Sequence, residues 1–164
     1  MEKLSEQIVN QIDLESKSFL ESIDSEYGTL SNEDRKNLGA FFTPPNLVVQ
    51  MLETFSCSLD RFANEDILDP TCGSGNLLIA SLILGSSKNP RYYEHVFGNE
   101  LSKELLAICR QRFINYCTEN IPKELEPSEG WTSFWNWHLH QGNALKKECI
   151  SRESFKKDYI FSEV

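Results

Sequence analysis

The chain has 164 residues, 40% apolar and 25% charged, with a formal net charge of -9. That length supports one domain with a buried core, and the excess of acid excludes a protein that grips nucleic acid by counterion release over its whole surface. The 5 cysteines show no CxxC spacing, which speaks against a disulfide framework or a cysteine-based zinc site and for reduced thiols in a cytoplasmic protein without a signal peptide or membrane span.

Residues 1–38 carry 4 Lys and Arg against 9 Asp and Glu, so they hold more than half of the net charge. Leu4, Ile8, Ile12, Phe19 and Ile23 fall on one stripe at helical spacing. This acidic segment is read as a helical cap on a main domain over 39–164. There Gly39-Ala40-Phe41-Phe42-Thr43-Pro44-Pro45 opens a helix, with Thr43 as cap, Pro44 in its first turn, and Leu47, Val48, Met51, Leu52 and Phe55 as its apolar face.

Residues 66–69 form a short strand that runs into a tight loop, Pro70-Thr71-Cys72-Gly73-Ser74-Gly75. The spacing predicts a helix over 76–84, stopped by Gly85-Ser86-Ser87. A second strand over 95–100 ends in Glu100. Ser102 then opens a helix with Leu105, Ile108, Cys109, Phe113 and Tyr116 on one side. Residues 120–130 are a loop, 134–140 a third strand and 158–161 a fourth. Strands alternating with helices imply a parallel α/β sheet.

The chemistry concentrates in Asp69-Pro70-Thr71-Cys72-Gly73-Ser74-Gly75, between a strand and a helix. Glycines there let the backbone turn sharply and come close to a ligand, at the carboxyl end of the sheet where ligands bind. Glu100 ends the next strand, where an acid can accept hydrogen bonds from both hydroxyls of a ribose. A nucleoside cofactor follows. Leu78 occupies the third position of a G-x-G-x-x-G pattern and no P-loop Lys follows the glycines, so a pyrophosphate site is incomplete.

Four segments in this order resemble the gamma-type adenine-N6 DNA methyltransferases, including the modification subunits of type I restriction systems. They are Gly39-Ala40-Phe41-Phe42-Thr43-Pro44, the glycine loop from Asp69 to Leu78, Gly98-Asn99-Glu100, and Gly142-Asn143-Ala144-Leu145. The resemblance implies a partial Rossmann-like fold that binds S-adenosylmethionine, with about four of the seven strands of the full parallel sheet. It implies that Thr43 contacts the cofactor's carboxylate and Asp69 its ammonium group. Gly73 and Gly75 let the backbone pack against it, Glu100 takes its ribose hydroxyls and Asn143 meets its adenine. The family usually has Asp at that last position, so Asn143 accepts the same bond without charge assistance.

The family's catalytic tetrapeptide, Asn or Asp followed by Pro-Pro and an aromatic, closes the fourth strand and receives the flipped base. Here 158–161 is followed by Ser162-Glu163-Val164, and no such tetrapeptide occurs. The chain is therefore expected to transfer no methyl group alone, and no catalytic residue is assigned. The readings left open are an enzyme fragment whose family substrate is DNA, a non-catalytic cofactor- or partner-binding module, and a methyltransferase acting on RNA, protein or a small molecule. The Phe-Thr-Pro segment argues against the last. An open sheet edge at 158–164 predicts self-association.

Trp131, Phe134, Trp135 and Trp137 are read as packing around the third strand rather than a base-stacking platform. His138 and His140, on one face of that strand, lack a third ligand, and no metal site is assigned. Arg110, Arg112, Lys146, Lys147, Lys156 and Lys157 are read as solvated charges rather than a DNA patch.

Overall fold

A computed structural model describes residues 59–146 together with residues 43, 47, 48, 50 and 51. The acidic segment over 1–38 and the expected strand and sheet edge at 158–164 lie outside the described residues. Leu47, Val48, Gln50 and Met51 have helical backbone, and Val48 is fully buried.

Three strands, β1 (Ile67–Asp69), β2 (Val96–Glu100) and β3 (Leu139–Gln141), form a parallel sheet in the order β1-β2-β3. Asp69 lies opposite Gly98, and Glu100 opposite Gln141. Parallel neighbours need crossovers. A short helix α1 (Leu59–Phe62) precedes β1, helix α2 (Asn76–Ser86) crosses to β2, and helices α3 (Lys103–Asn120) and α4 (Gly130–His138) cross to β3. The fold is Rossmann-like α/β, with the second strand central and Val96, Gly98 and Asn99 buried. Among the described residues, no helix is long and apolar enough to cross a membrane.

Helix α2 is apolar nearly all round and correspondingly buried, with Leu78, Ile79, Leu82, Ile83 and Leu84 in the core. It runs to Ser86 instead of stopping before Gly85. Gly85 is a buried helical position whose missing side chain makes room for the Tyr92 ring; a Cβ there would lie 2.1 Å from Tyr92 Cδ1.

Ser102 caps α3 as expected, its hydroxyl accepting the Leu105 N–H at 3.2 Å. The buried face of α3 is Leu105, Leu106, Cys109, Arg112, Phe113, Tyr116 and Cys117, a stripe at i, i+3, i+4 spacing. Arg112 is thus inside, only 8% exposed. Arg110 is also engaged: its Nε and Nη2 donate to the Leu139 carbonyl and its Nη2 to that of Asn136, a cation at the carbonyl end of α4. Neither arginine is a solvated surface charge.

The third strand is much shorter than expected, because residues 130–138 are helical. Trp131, Phe134, Trp135 and His138 are the buried positions of α4, at i, i+3, i+4, i+7. Aromatic residues favour strands through packing and not through backbone preference, and here the spacing decides. Tyr93 meets Trp131 and Phe134 edge-on at 5.0 and 5.3 Å, and Phe113 meets Trp135 at 4.5 Å. Such pairs add roughly 0.5–1.5 kcal/mol each beyond area burial. His138 ends the helix and His140 sits in β3, so they do not share a strand face. The His138 ring stacks on Phe134 and Phe97, and burial pushes its pKa down to about 4. Neutral, it donates from Nδ1 to the Val96 carbonyl at 2.9 Å.

Candidate cofactor site

The loop after β1 builds one wall of the site. Asp69 Oδ1 accepts the Thr71 N–H at 3.0 Å, a local turn bond typical of Asp. The Cys72 N–H donates to the Asn99 carbonyl at 2.9 Å, and the Gly75 N–H to the Cys72 carbonyl at 2.7 Å. Closing this turn takes Gly73 to φ +55° and Gly75 to φ +89°, left-handed backbone that suits glycine. Gly75 is also pressed against the core, where a Cβ would lie 2.6 Å from Cys109 Sγ. Helix α2 starts immediately after it.

The end of β2 builds the other wall. Glu100 Oε2 accepts the Gly73 N–H at 2.8 Å, and its Oε1 accepts the Ser102 N–H at 2.9 Å. One carboxylate thereby joins the glycine loop to the start of α3. The neighbouring Asn99, 1% exposed, donates from Nδ2 to the carbonyls of Pro70 at 3.0 Å and Gly142 at 2.9 Å. The loops after β1 and β3 are therefore tied to the same strand end.

Between these walls lies a cavity of about 430 Å³ whose lining includes Thr43, Asp69, Gly73, Asn76, Glu100 and Leu105. The volume lies in the usual range for a small-molecule site. Its polarity is asymmetric. Asp69 and Glu100 supply carboxylates; burial, with a smaller contribution from Glu100, pushes the Asp69 carboxyl above its ordinary value against the pull of the Thr71 N–H. A cation beside Asp69 relieves that cost. The N–H groups of the first turn of α2 supply positive potential on the Asn76 side. The arrangement suits a ligand that carries both charges and also hydroxyl groups.

Of the sequence-predicted site residues, Thr43, Asp69, Gly73 and Glu100 line this one cavity. Gly75 shapes the loop from behind. Asn143 is not among the lining residues; its Oδ1 accepts the Leu145 N–H at 2.9 Å just beyond β3. Sequence reasoning missed Asn76, Asn99 and Arg112. Arg112 had a visible signal, a cation at a core position of an apolar stripe, and Asn99 a weaker one, an amide directly before the acid.

The family model of N-6 DNA methylases matches residues 26–129. This chain belongs to the N-6 DNA methylase family. The match contains the glycine loop, Glu100 and the whole of α3. This N-6 DNA methylase chain is also similar to a tRNA/tmRNA (uracil-C(5))-methyltransferase of Acinetobacter baylyi (strain ATCC 33305 / BD413 / ADP1), 24% identical over 127 residues, or 77% of this chain and 33% of the relative. The chain thus spans about a third of the length of that curated relative. No solved structure matches it.

Proposed function

We propose that the chain binds S-adenosylmethionine between the glycine loop and Glu100, as the donor-binding portion of an adenine-N6 DNA methyltransferase. The observation that carries this reading is the hydrogen bond from Gly73 to Glu100, two residues that line one cavity of about 430 Å³. It brings the two features of a nucleoside site, an open backbone turn and an acid one strand away, into contact.

The residues fit the donor group by group. Glu100 keeps lone pairs free for ribose hydroxyls beyond the two N–H groups it already accepts. Asp69 gains a counter-charge from the ammonium group. Thr43, Asn76 and the first turn of α2 receive the carboxylate, which Glu100 would repel. The bound cofactor supplies a methyl group on a positively charged sulfur. The family description speaks of DNA, and the relative is named for a uracil carbon of tRNA and tmRNA. A methyl donor is what both reactions require, and DNA is assigned as the substrate class on the family match.

A second reading concerns this polypeptide alone. Its 164 residues contain no Asn-Pro-Pro or Asp-Pro-Pro, the groups that would hold a target amine. We infer that alone it holds the donor without transferring the methyl group, as a cofactor-binding module. The buried free thiols Cys72, Cys109 and Cys117 fit a reducing, cytoplasmic setting.

Titration calorimetry of the full chain with S-adenosylmethionine tests the first reading. One-to-one binding that is lost in Glu100→Ala supports it, and no heat of binding at millimolar cofactor ends it. Labelled cofactor with adenine-containing DNA tests the second: incorporation above a buffer control overturns it.

A further inference from the structure

We propose that Arg112 is a positioning residue for the donor site: from within the core it fixes the start of α2 and, through Asn76, the carbonyl of Thr43, and so shapes the end of the cavity that takes the donor's amino-acid group. The inference rests on the reading of this cavity as a donor site.

Arg112 projects from the buried face of α3 and is 8% exposed. Its Nη1 donates to the Ser74 carbonyl at 2.6 Å, the Ser74 hydroxyl oxygen at 3.2 Å and Asn76 Oδ1 at 2.8 Å. A buried charge is tolerated when it is hydrogen-bonded, and these three bonds converge on one short stretch of chain. That stretch is the end of the glycine loop and the first residue of α2.

The bond to Asn76 has a second effect. An amide has one oxygen and one NH₂ group, and their orientation is set by their partners. With Oδ1 held by Arg112, Nδ2 is turned to the Thr43 carbonyl, which accepts at 3.2 Å. A relay thus runs from α3 through Asn76 to Thr43, whose position in the chain is 33 residues earlier. Thr43 and Asn76 both line the cavity. A guanidinium has donors and no acceptor, so the relay keeps one direction. Its charge adds to the positive potential at the first turn of α2, which favours a carboxylate there.

Glu100 holds the loop at Gly73, whereas Arg112 holds it at Ser74 and Asn76. The two ends of the cavity are therefore fixed by different residues, and this separation can be measured. S-adenosylmethionine carries both an amino-acid group and a ribose; 5′-methylthioadenosine carries only the nucleoside end. The experiment measures both affinities by calorimetry for the full-length wild type, Arg112→Met and Arg112→Lys, with thermal melts to confirm folding.

Arg112→Met is expected to lower the ratio of S-adenosylmethionine to methylthioadenosine affinity roughly tenfold, the scale of lost charge-assisted hydrogen bonds. Arg112→Lys is expected to restore part of the ratio, because the three bonds to Ser74 and Asn76 leave one nitrogen and an ammonium offers three donors on one nitrogen. If Arg112→Met does not fold, Arg112→Gln carries the test, since it keeps a donor amide but removes the charge and the fork of donors. A ratio unmoved in folded variants, or an equal loss for both ligands, overturns the role of Arg112 alone. A wild type that binds neither ligand overturns the donor-site reading and this inference with it.

Discussion

The Glu100 carboxylate accepts the backbone N–H of Gly73 at 2.8 Å across 27 positions of sequence. It also accepts the N–H of Ser102 with its other oxygen. The residue assigned to ribose recognition is thus a structural clamp on the loop that faces it. Any substitution acts on both roles at once.

Glu100→Gln is the sensitive probe. Glutamine preserves size but turns an NH₂ group toward one of two N–H donors, so one acceptor contact becomes a clash of donors. The expected cost is about 1–3 kcal/mol of stability, the penalty for an unsatisfied buried group, together with weaker S-adenosylmethionine binding. Thermal melts and calorimetry on the same preparation check it; an unchanged melt would show that the clamp contributes nothing.

The two loop glycines are expected to fail differently. At Gly75 a Cβ meets Cys109 Sγ at 2.6 Å and Phe113 at 3.1 Å in left-handed backbone, so Gly75→Ala combines overpacking with strain and costs roughly 2–4 kcal/mol. At Gly73 a Cβ meets no atom within 4 Å, so Gly73→Ala costs roughly 1–2 kcal/mol of backbone strain. Gly73 nevertheless lines the cavity. Its variant should stay folded and bind donor poorly, whereas the Gly75 variant should lose stability first. Chemical denaturation and ligand titration separate the two.

Asp69 makes stability depend on pH in the sense opposite to a salt-bridged acid. Its carboxyl is raised in the folded state, first by burial. Between the ordinary carboxylate value and the raised one the folded chain holds more protons than the unfolded chain, so stability falls as pH rises through that window. Asp69→Asn keeps an oxygen for the Thr71 N–H and removes the charge. At neutral pH without ligand it should match or exceed the wild type by up to about 1 kcal/mol, and the advantage should vanish in acid. Donor binding should weaken, because the ammonium loses its partner. Melts from acid to neutral pH check the sign.

His138 acts at the start of β2, the end opposite Glu100. In the folded chain its pKa is near 4 against an ordinary 6.5, so the unfolded chain takes up a proton first as the medium is acidified. Stability is lost as pH falls through that interval, by an amount on the order of 3 kcal/mol once both values are passed. His138→Phe would keep the stacking on Phe134 and Phe97 but lose the bond to Val96. Its melting temperature should be lower at neutral pH and flatter between pH 6.5 and 4.

The parts legible in the sequence were those fixed by neighbours along the chain. The turn from Asp69 to Gly75 follows from glycine and Asp chemistry within a few residues, and Ser102 marks the start of α3 by itself. The stretch around Trp135 is helix and not the expected strand, because the spacing of its buried residues decides and not their types. Asn99 and Arg112 were missed for another reason. Their partners, Gly142 for one and Ser74 and Asn76 for the other, lie tens of residues away, and only the assembled sheet brings them together. The Asn143 amide oxygen, by contrast, accepts an N–H two residues along its own loop.

The strands stand in the sheet in the order in which they occur in the chain. Among the described residues no later strand is threaded between earlier ones, so each of the three can dock on its predecessor as it leaves the ribosome. The contact of Gly73 with Glu100, 27 positions apart in the chain, waits on the parallel pairing of β1 with β2, a non-local step that is expected to be slower than the formation of α2 and α3.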